Sequence, residues 1–501
     1  MADETGLTPE DYDHAPPSPG AMLEALRGLG YSPETALADL IDNSIAAGAT
    51  RVSVEFLWAG PASIIRITDN GRGMDARTLI NAMRPASRHP LAIREATDLG
   101  RFGLGLKTAS LSQGRVLGVV TRAAGGPLLS RCWDLDYVAQ VDAWRLRDLP
   151  EELADHAVLP VEAAGTIILI GQLDRLLGAD ADGELAARRF QSAARQVERH
   201  LAMTFHRFLE DSRLELLIGG GGTLSRIRPW DPFLTQYPAT TSTPVERLQS
   251  AEGTVTLQGF VLPHPDRLTA DQFEEGSGPE GWLAHQGFFV YRHQRLLQAG
   301  GWLGLGGRRG WVRDEVHRLA RIRLDLPNTA DSTWKVDIRK STAVPPTPLR
   351  PRLQGLTEQI RRDAREVFTW RGGRSSRTTR PAIVRIWNAV ETHRGNTYRI
   401  DRAHPSVQRA LDAAGTDRRL IEEMLIAIEG SLPVQRIWLD TVENGQIADR
   451  PVGMPLAEAD AMRSLFNHMR SDLGLTVDEA RRRLLQIEPF ARYPAAVAEL
   501  R

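Results

Sequence analysis

Between Pro33 and Gly48 the apolar residues Leu37, Leu40, Ile41 and Ile45 recur at helical spacing. They predict one amphipathic helix, with Ser32 at its N-cap and Pro33 at its first helical position. A short helix over 21–28 precedes it. From Arg51 the period changes to two: Val52, Val54 and Phe56 share one face of a strand running to Leu57. A turn at 59–63 and a second strand over 64–68 make this a β-hairpin that ends at Asp69. Further along, 106–113 reads as a helix, 115–121 and 128–134 as strands, and 165–170 as a buried strand. Residues 188–210 form a long helix with Phe190, Leu201, Phe205 and Leu209 inward. Strand candidates at 214–218, 253–262 and 287–291 introduce a second domain, 349–368 is a charged helix, and 381–501 reads as mainly helical.

The pattern therefore divides the chain into five stretches: a flexible arm (1–20), a first α/β domain (21–213), a second α/β domain (214–348), a helix and Arg-rich linker (349–380), and a mainly helical C-terminal domain (381–501). The fold class is α+β. A length of 501 residues suits such a division. A net charge of −1 removes any whole-chain electrostatic argument for a nucleic-acid or membrane partner. The single cysteine, Cys132, excludes an internal disulfide and a cysteine-built metal cage. The longest apolar runs fall short of membrane-spanning length and the acidic, Pro-rich N-terminus does not read as a signal, so a soluble, cytoplasmic protein is expected.

Charge matters more by kind than by sum. Of 62 basic residues only Lys107, Lys335 and Lys340 are lysines. Each marks a place where a compact point charge stands in a chain otherwise supplied with planar guanidinium forks. The linker WRGGRSSRTTR (370–380) carries four arginines and no acid. Such a segment can follow a phosphate backbone or serve as a solvated hinge. His200 and His206 are six apart on the long helix, a spacing that does not suit joint metal ligation.

Two positions on the first helix carry candidate chemistry. Asp39 and Asn43 are four apart and stack on one face, where an acid and an amide can hold a water and a metal ion together. The run Asp69-Asn70-Gly71-Arg72-Gly73-Met74 reads in two ways: as a turn closing the hairpin, or as a base-reading corner. In the second reading the acceptor-only Asp69 carboxylate takes the exocyclic amine of adenine and rejects the carbonyl of guanine, while Gly71 and Gly73 let the backbone pass close to the ring. Gly100-Arg101-Phe102-Gly103-Leu104-Gly105 then opens a helix at Leu106 and Lys107. A glycine turn entering a helix N-terminus suits phosphate.

In this fixed order, the three stretches ADLIDNS (38–44), DNGRGM (69–74) and GRFGLGLKTA (100–109) resemble the N box and the two glycine boxes of the GHKL superfamily: gyrase-type topoisomerases, ninety-kilodalton heat-shock chaperones, histidine kinases and MutL. The run LGRFGLGLKTASLSQ is most similar to the microrchidia (MORC) ATPases and their bacterial relatives. The resemblance implies a Bergerat-type α/β sandwich followed by an S5-like transducer domain, with ATP and Mg²⁺ as ligands. It places adenine on Asp69 with Thr166 in support, and phosphates on the turn through Lys107. Mg²⁺ falls to Asn43, and an ordered lid to 75–98. The segments HQGFFVYRHQRLL and WKVDIRKS resemble the transducer, whose γ-phosphate lysine would be Lys340, with Lys335 as the substitute. MutL-like and chaperone members polarise the attacking water with a glutamate; here Asp39 stands in its place, one methylene shorter. Either Asp39 works from a closer backbone or through a second water, or ATP acts mainly as the ligand that closes a homodimer.

Three function classes follow from the resemblance. The first is an ATPase clamp on DNA, in DNA processing or anti-phage defence. The second is a nucleotide-gated scaffold with negligible turnover that recruits a separate nuclease. The third is a heat-shock-type chaperone. The glycine segment 300–310 lacks the Lys-Ser/Thr ending of a P-loop and reads as a flexible loop.

Overall fold

The computed structural model describes residues 15, 17–28, 30–85, 105–160, 163–178, 181–250, 252–307, 310–330, 333–335, 343–369, 384–392, 395–434 and 454–501. Two compact units are present, Met1–Gly372 and Gly373–Arg501. Among the described residues no helix is long and apolar enough to cross a membrane.

The first unit contains two sheets. The first is built from β1 (Arg51–Leu57), β2 (Ile64–Asp69), β3 (Val116–Arg122), β4 (Leu129–Asp134), β5 (Gly165–Gly171), β6 (Glu215–Gly220) and β7 (Thr223–Arg226), in the order β4-β3-β5-β2-β1-β6-β7. One face is covered by α1 (Pro19–Arg27), α2 (Pro33–Ala46), α3 (Ala76–Met83) and α4 (Gly105–Gln113). Smaller helices follow at α5 (Leu135–Val141), α6 (Glu151–Ala154) and α7 (Asp174–Leu177), then α8 (Glu184–Thr204) and α9 (His206–Glu210). Strand register explains how the layers separate. Ile65 faces Ile170, which faces Leu117; Ile67 faces Ile168, which faces Val119. These rows enter the large core under the helices. The alternate residues Ile64, Ile167, Leu169, Val116 and Val120 pack with Cys132 in a smaller cluster on the opposite face.

Three sequence expectations are corrected in this unit. The strand expected to open the second domain is β6, which pairs parallel with β1 and belongs to the first sheet. Its Leu216 and Ile218 enter the first core, so a boundary at 213/214 would cut that sheet. The long helix over 188–210 is broken at Phe205, whose φ of −108° and ψ of 14° end α8 before α9 begins. The glycine segment at 300 is a packed one: Trp302 and Leu305 are buried, the Trp302 indole N–H donates to Val312 O at 3.1 Å, and the Arg361 guanidinium lies 4.3 Å from the centre of its ring.

The second sheet comprises β8 (Thr241–Ser242), β9 (Glu246–Ser250), β10 (Gly253–Val261), β11 (Gly287–Arg292), β12 (Arg295–Ala299) and β13 (Ala320–Leu326). Its order is β12-β11-β13-β10-β8, with β9 also on β10. Strand β11 is buried on both faces. Phe288 and Val290 pack in one core with Leu353 and Ile360 of the helix α11 (Arg350–Thr369); α10 (Ala270–Ser277) lies between β10 and β11 in the chain. Phe289 and Tyr291 face the other way and pack with Met203 of α8. This second cluster joins the two sheets.

The unit Gly373–Arg501 is mainly helical: α12 (Pro405–Ala413), α13 (Arg418–Gly430), α14 (Leu456–Ser471), α15 (Val477–Leu484) and α16 (Pro494–Glu499). It also holds a hairpin of β14 (Trp387–Thr392) and β15 (Gly395–Ile400) that the helical reading did not anticipate. The Arg-rich linker lies outside the described residues.

Candidate functional site

The same register that layers the core builds a polar edge on it. Asp69 faces Thr166 across β2 and β5, and Thr166 faces Thr121 across β5 and β3. This row continues the Ile67–Ile168–Val119 row by two residues along each strand, so it lies on the helix-covered face where the apolar surface ends. Thr121 Oγ1 and Thr166 Oγ1 are 3.0 Å apart, and the Met74 N–H donates to Thr121 Oγ1 at 3.0 Å. Asp69 is 7% exposed. Its Oδ2 accepts from Ser44 Oγ and its Oδ1 from the Gly71 N–H, both at 2.9 Å. Burial raises the Asp69 carboxyl above the ordinary carboxylate value, against the pull of the Gly71, Ser44 and Thr166 donors.

The glycines beside it leave no room for side chains. A Cβ on Gly73, whose φ is +66°, would lie 1.8 Å from Arg122 O. On Gly71 it would meet the Ala47 methyl at 2.9 Å and Asp69 Oδ1 at 3.0 Å. The DNGRGM segment is therefore drawn flat against β3 and the end of α2, next to the Asp69 carboxylate.

Helix α2 runs along this edge and is buried on more than the one stripe its sequence suggests. Leu37, Leu40 and Ile41 are fully enclosed, and Asp39, Asp42 and Ser44 are buried as well, because α4 and α8 both pack on it. Asn43 is exposed one turn after the buried Asp39. Tyr31 donates its hydroxyl to Asp39 Oδ2 at 2.9 Å. Ser32 holds the N-cap position in extended backbone, but its hydroxyl lies 3.1 Å from Thr35 Oγ1 rather than on a backbone N–H.

Helix α4 begins at Gly105, with Leu106 packed on the main core. Lys107 is 2% exposed and donates Nζ to Ala82 O on α3 at 2.9 Å. Burial pushes its ammonium down to about 8.

The structure places Asp69, Gly71, Gly73, Met74 and Thr166 at one end of the first sheet, Asp39 and Asn43 on α2, and Gly105, Leu106 and Lys107 on α4, which packs against α2. Gly100, Arg101, Phe102, Gly103 and Leu104 lie outside the described residues, as does Lys340; Lys335 is exposed. Sequence reading missed Ser44 and Thr121. Ser44 follows Asn43 directly, and Thr121 ends the β3 run VLGVVT; only strand register identifies Thr121 as Thr166's partner. The two histidines weighed as metal ligands lie on different helices, His200 on α8 and His206 on α9. His206 bonds Tyr291 Oη at 2.9 Å and Glu210 at 3.0 Å, while burial first, and then the Arg295 charge, push His200 down to about 4.

The arrangement fits a magnesium–adenine nucleotide. It offers a buried acceptor carboxylate beside backbone that tolerates no side chain, an exposed amide one turn from a buried acid, and a lysine at the start of a helix.

Comparison with known proteins agrees on the segment concerned. Residues 31–166 match the family described as histidine kinase-, DNA gyrase B- and HSP90-like ATPase. The chain is 40% identical over 72 residues to a DNA mismatch repair protein MutL of Opitutus terrae, covering 14% of this chain and 11% of that protein. It is also 40% identical over 88 residues to the ATPase MORC2B of Mus musculus, covering 16% and 8%. The matched segment spans about a tenth of each of these relatives. A solved structure described as the N-terminal domain of a DNA repair protein aligns with 70% of this chain and 98% of its own at 15% identity, with a TM-score of 0.40. By the family match, residues 31–166 of this chain carry a GHKL-type ATPase domain, of the kind described for histidine kinases, DNA gyrase B and HSP90.

Proposed function

We propose that the chain binds and slowly hydrolyses ATP, and that the bound nucleotide pairs two copies as a clamp on DNA. The observation that carries the nucleotide reading is the polar row Asp69–Thr166–Thr121, set at the end of two apolar rows and flanked by glycines that admit no side chain.

In this reading the Asp69 carboxylate accepts the adenine amine, Ser44 and the Gly71 N–H hold that carboxylate in place, and Thr121 and Thr166 fix the row beneath Met74. Phosphates fall to the glycine-rich segment 100–105 and Lys107, and the Asn43 amide oxygen is the Mg²⁺ ligand. Magnesium would neutralise phosphate charge, in keeping with its preference for oxygen ligands. Asp39 orients the attacking water, and Lys340 supplies the transducer charge at the γ-phosphate. The sheet β8–β13 takes the part of the S5-like transducer. Likeness to MutL and MORC proteins supports DNA as the partner, and a DNA-processing or defence setting with a separate nuclease is the version that follows from it.

One observation favours a second reading. Asp39 is a methylene shorter than the usual glutamate and already holds the Tyr31 hydroxyl, which suits a nucleotide-gated scaffold with negligible turnover.

The test measures ATP turnover with and without duplex DNA, and the size of the full chain with and without a non-hydrolysable ATP analogue and Mg²⁺. The clamp reading expects doubling of mass with the analogue and DNA-stimulated turnover abolished in Asp39→Ala. Doubling without turnover selects the scaffold. A monomer under all conditions overturns both.

A further inference from the structure

Helix α2 buries two carboxylates three positions apart. Asp39 is 5% exposed and Asp42 is 1% exposed. Two enclosed carboxyl groups this close call for a polar or cationic partner within reach of both. A cation that reaches both comes from the other sheet. Arg295, the first residue of β12, is itself 4% exposed. Its Nε donates to Asp42, with Oδ2 at 3.0 Å and Oδ1 at 3.2 Å, and its Nη2 lies 3.6 Å from Asp39 Oδ1. Its Nη1 donates to Leu296 O at 2.8 Å, which fixes the plane of the guanidinium. Asp42 therefore orients Arg295, Arg295 faces one oxygen of Asp39, and the Tyr31 hydroxyl takes the other.

We infer that Arg295 is a positioning residue for ATP hydrolysis: the second sheet supplies the guanidinium that faces the Asp39 carboxylate and aims it on the catalytic helix. The inference rests on the ATPase reading above. It makes α2 incomplete as a hydrolytic element until β12 is seated on it, and it gives Asp42 a purpose that the nucleotide site alone does not. A planar fork is needed because one guanidinium must serve both acids from one position, which a lysine ammonium does less well.

The test uses the full chain. Affinity for a non-hydrolysable ATP analogue with Mg²⁺ and steady-state turnover are measured for wild type, Arg295→Met, Arg295→Lys, Asp42→Asn and the double variant Asp42→Asn/Arg295→Met. The expected result is a kcat lowered about tenfold to a hundredfold in Arg295→Met, with analogue affinity within about twofold of wild type. Arg295→Lys should recover part of the rate. The double variant should lose little beyond the worse single one, since the two side chains act as one unit. Arg207→Ala, which weakens the same domain contact without touching Asp39, should leave kcat unchanged. If Arg295→Met does not fold, Arg295→Lys carries the test: a lowered kcat at unchanged affinity supports the inference and a wild-type kcat overturns it. An equal loss in Arg207→Ala also overturns it, because docking rather than the guanidinium would then set the rate. A wild type that turns over ATP beside an unaffected Arg295→Met ends this inference alone; a wild type that neither binds nor hydrolyses ATP ends the reading beneath it as well.

Discussion

Replacing Lys107 by methionine should stabilise the nucleotide-free protein and weaken its grip on ATP. The ammonium is enclosed and its pKa is pushed from 10.5 to about 8 by burial. A depression of that size corresponds to about 3 kcal/mol of disfavour for the charged form in the folded chain. The bond from Nζ to Ala82 O returns about 1 kcal/mol. Methionine has a stem of similar volume and no charge, so Lys107→Met should gain about 2 kcal/mol at pH 7. The pH dependence fixes the cause. At pH 7 both the folded and the unfolded lysine are charged, and the folded one carries the whole burial cost. As pH rises through 8 the folded lysine releases its proton while the unfolded one keeps it until 10.5. The wild type therefore gains stability across that window, and the advantage of methionine shrinks by about 2 kcal/mol between pH 7 and 9.5. Urea unfolding of both proteins at the two pH values measures this, and calorimetry with an ATP analogue at pH 7 should show binding weakened about tenfold or more in the variant. A variant less stable than wild type at pH 7, or a difference indifferent to pH, would refute the claim that a desolvated charge is stored at this position.

Asp69→Asn should abolish the preference for adenine over guanine nucleotides, and wild-type affinity should fall on acidification from a pH above the ordinary carboxylate value of 3.8, because protonation turns the acceptor into a donor; titrations at several pH values check both, and affinity flat down to pH 4 would contradict them. Asn43→Ala should bind the analogue equally with Mg²⁺ and with a chelator, whereas wild type binds more tightly with Mg²⁺; a retained Mg²⁺ effect would remove Asn43 as the ligand. Gly73→Ala should lose on the order of 3 kcal/mol of stability and all measurable binding, since its Cβ would lie 1.8 Å from Arg122 O; a variant that melts with wild type would show that the turn yields. Arg207→Ala removes both the guanidinium 3.4 Å from the centre of the Tyr291 ring and its pair with Asp325. A loss of roughly 1–3 kcal/mol in urea unfolding is expected, and a change under 0.3 kcal/mol would mean that the contact between the sheets is carried elsewhere.

The first sheet was legible because its strands obey simple periods. Val52, Val54 and Phe56 alternate, and the Ile167–Ile170 run could only be an enclosed strand. The segments proposed to face the nucleotide stand out in the sequence because their chemistry is local: an acid, an amide and glycines at short fixed spacings. What the sequence hides is non-local. That β6 joins β1 in parallel depends on a partner 164 residues earlier, as in Arg51 and Glu215 (215 − 51 = 164), and a short apolar strand carries no mark of which sheet it will complete. Thr121 becomes part of the site only through the register of two strand pairs. Arg295 is one arginine among 59 until the fold sets it against Asp42 on a helix 253 positions away. The break at Phe205 and the packed glycine segment likewise follow from tertiary contacts: the His206 and Arg207 side chains meet Tyr291, and Arg361 covers Trp302.

Calorimetric titration of the full chain with a non-hydrolysable ATP analogue and Mg²⁺, repeated with the matching GTP analogue and with Asp69→Asn, tests the account at its centre. Saturable heat with the adenine compound at one site per chain, little with the guanine compound and none in the variant is the predicted result; no heat with the adenine compound, or equal heat in Asp69→Asn, would contradict it.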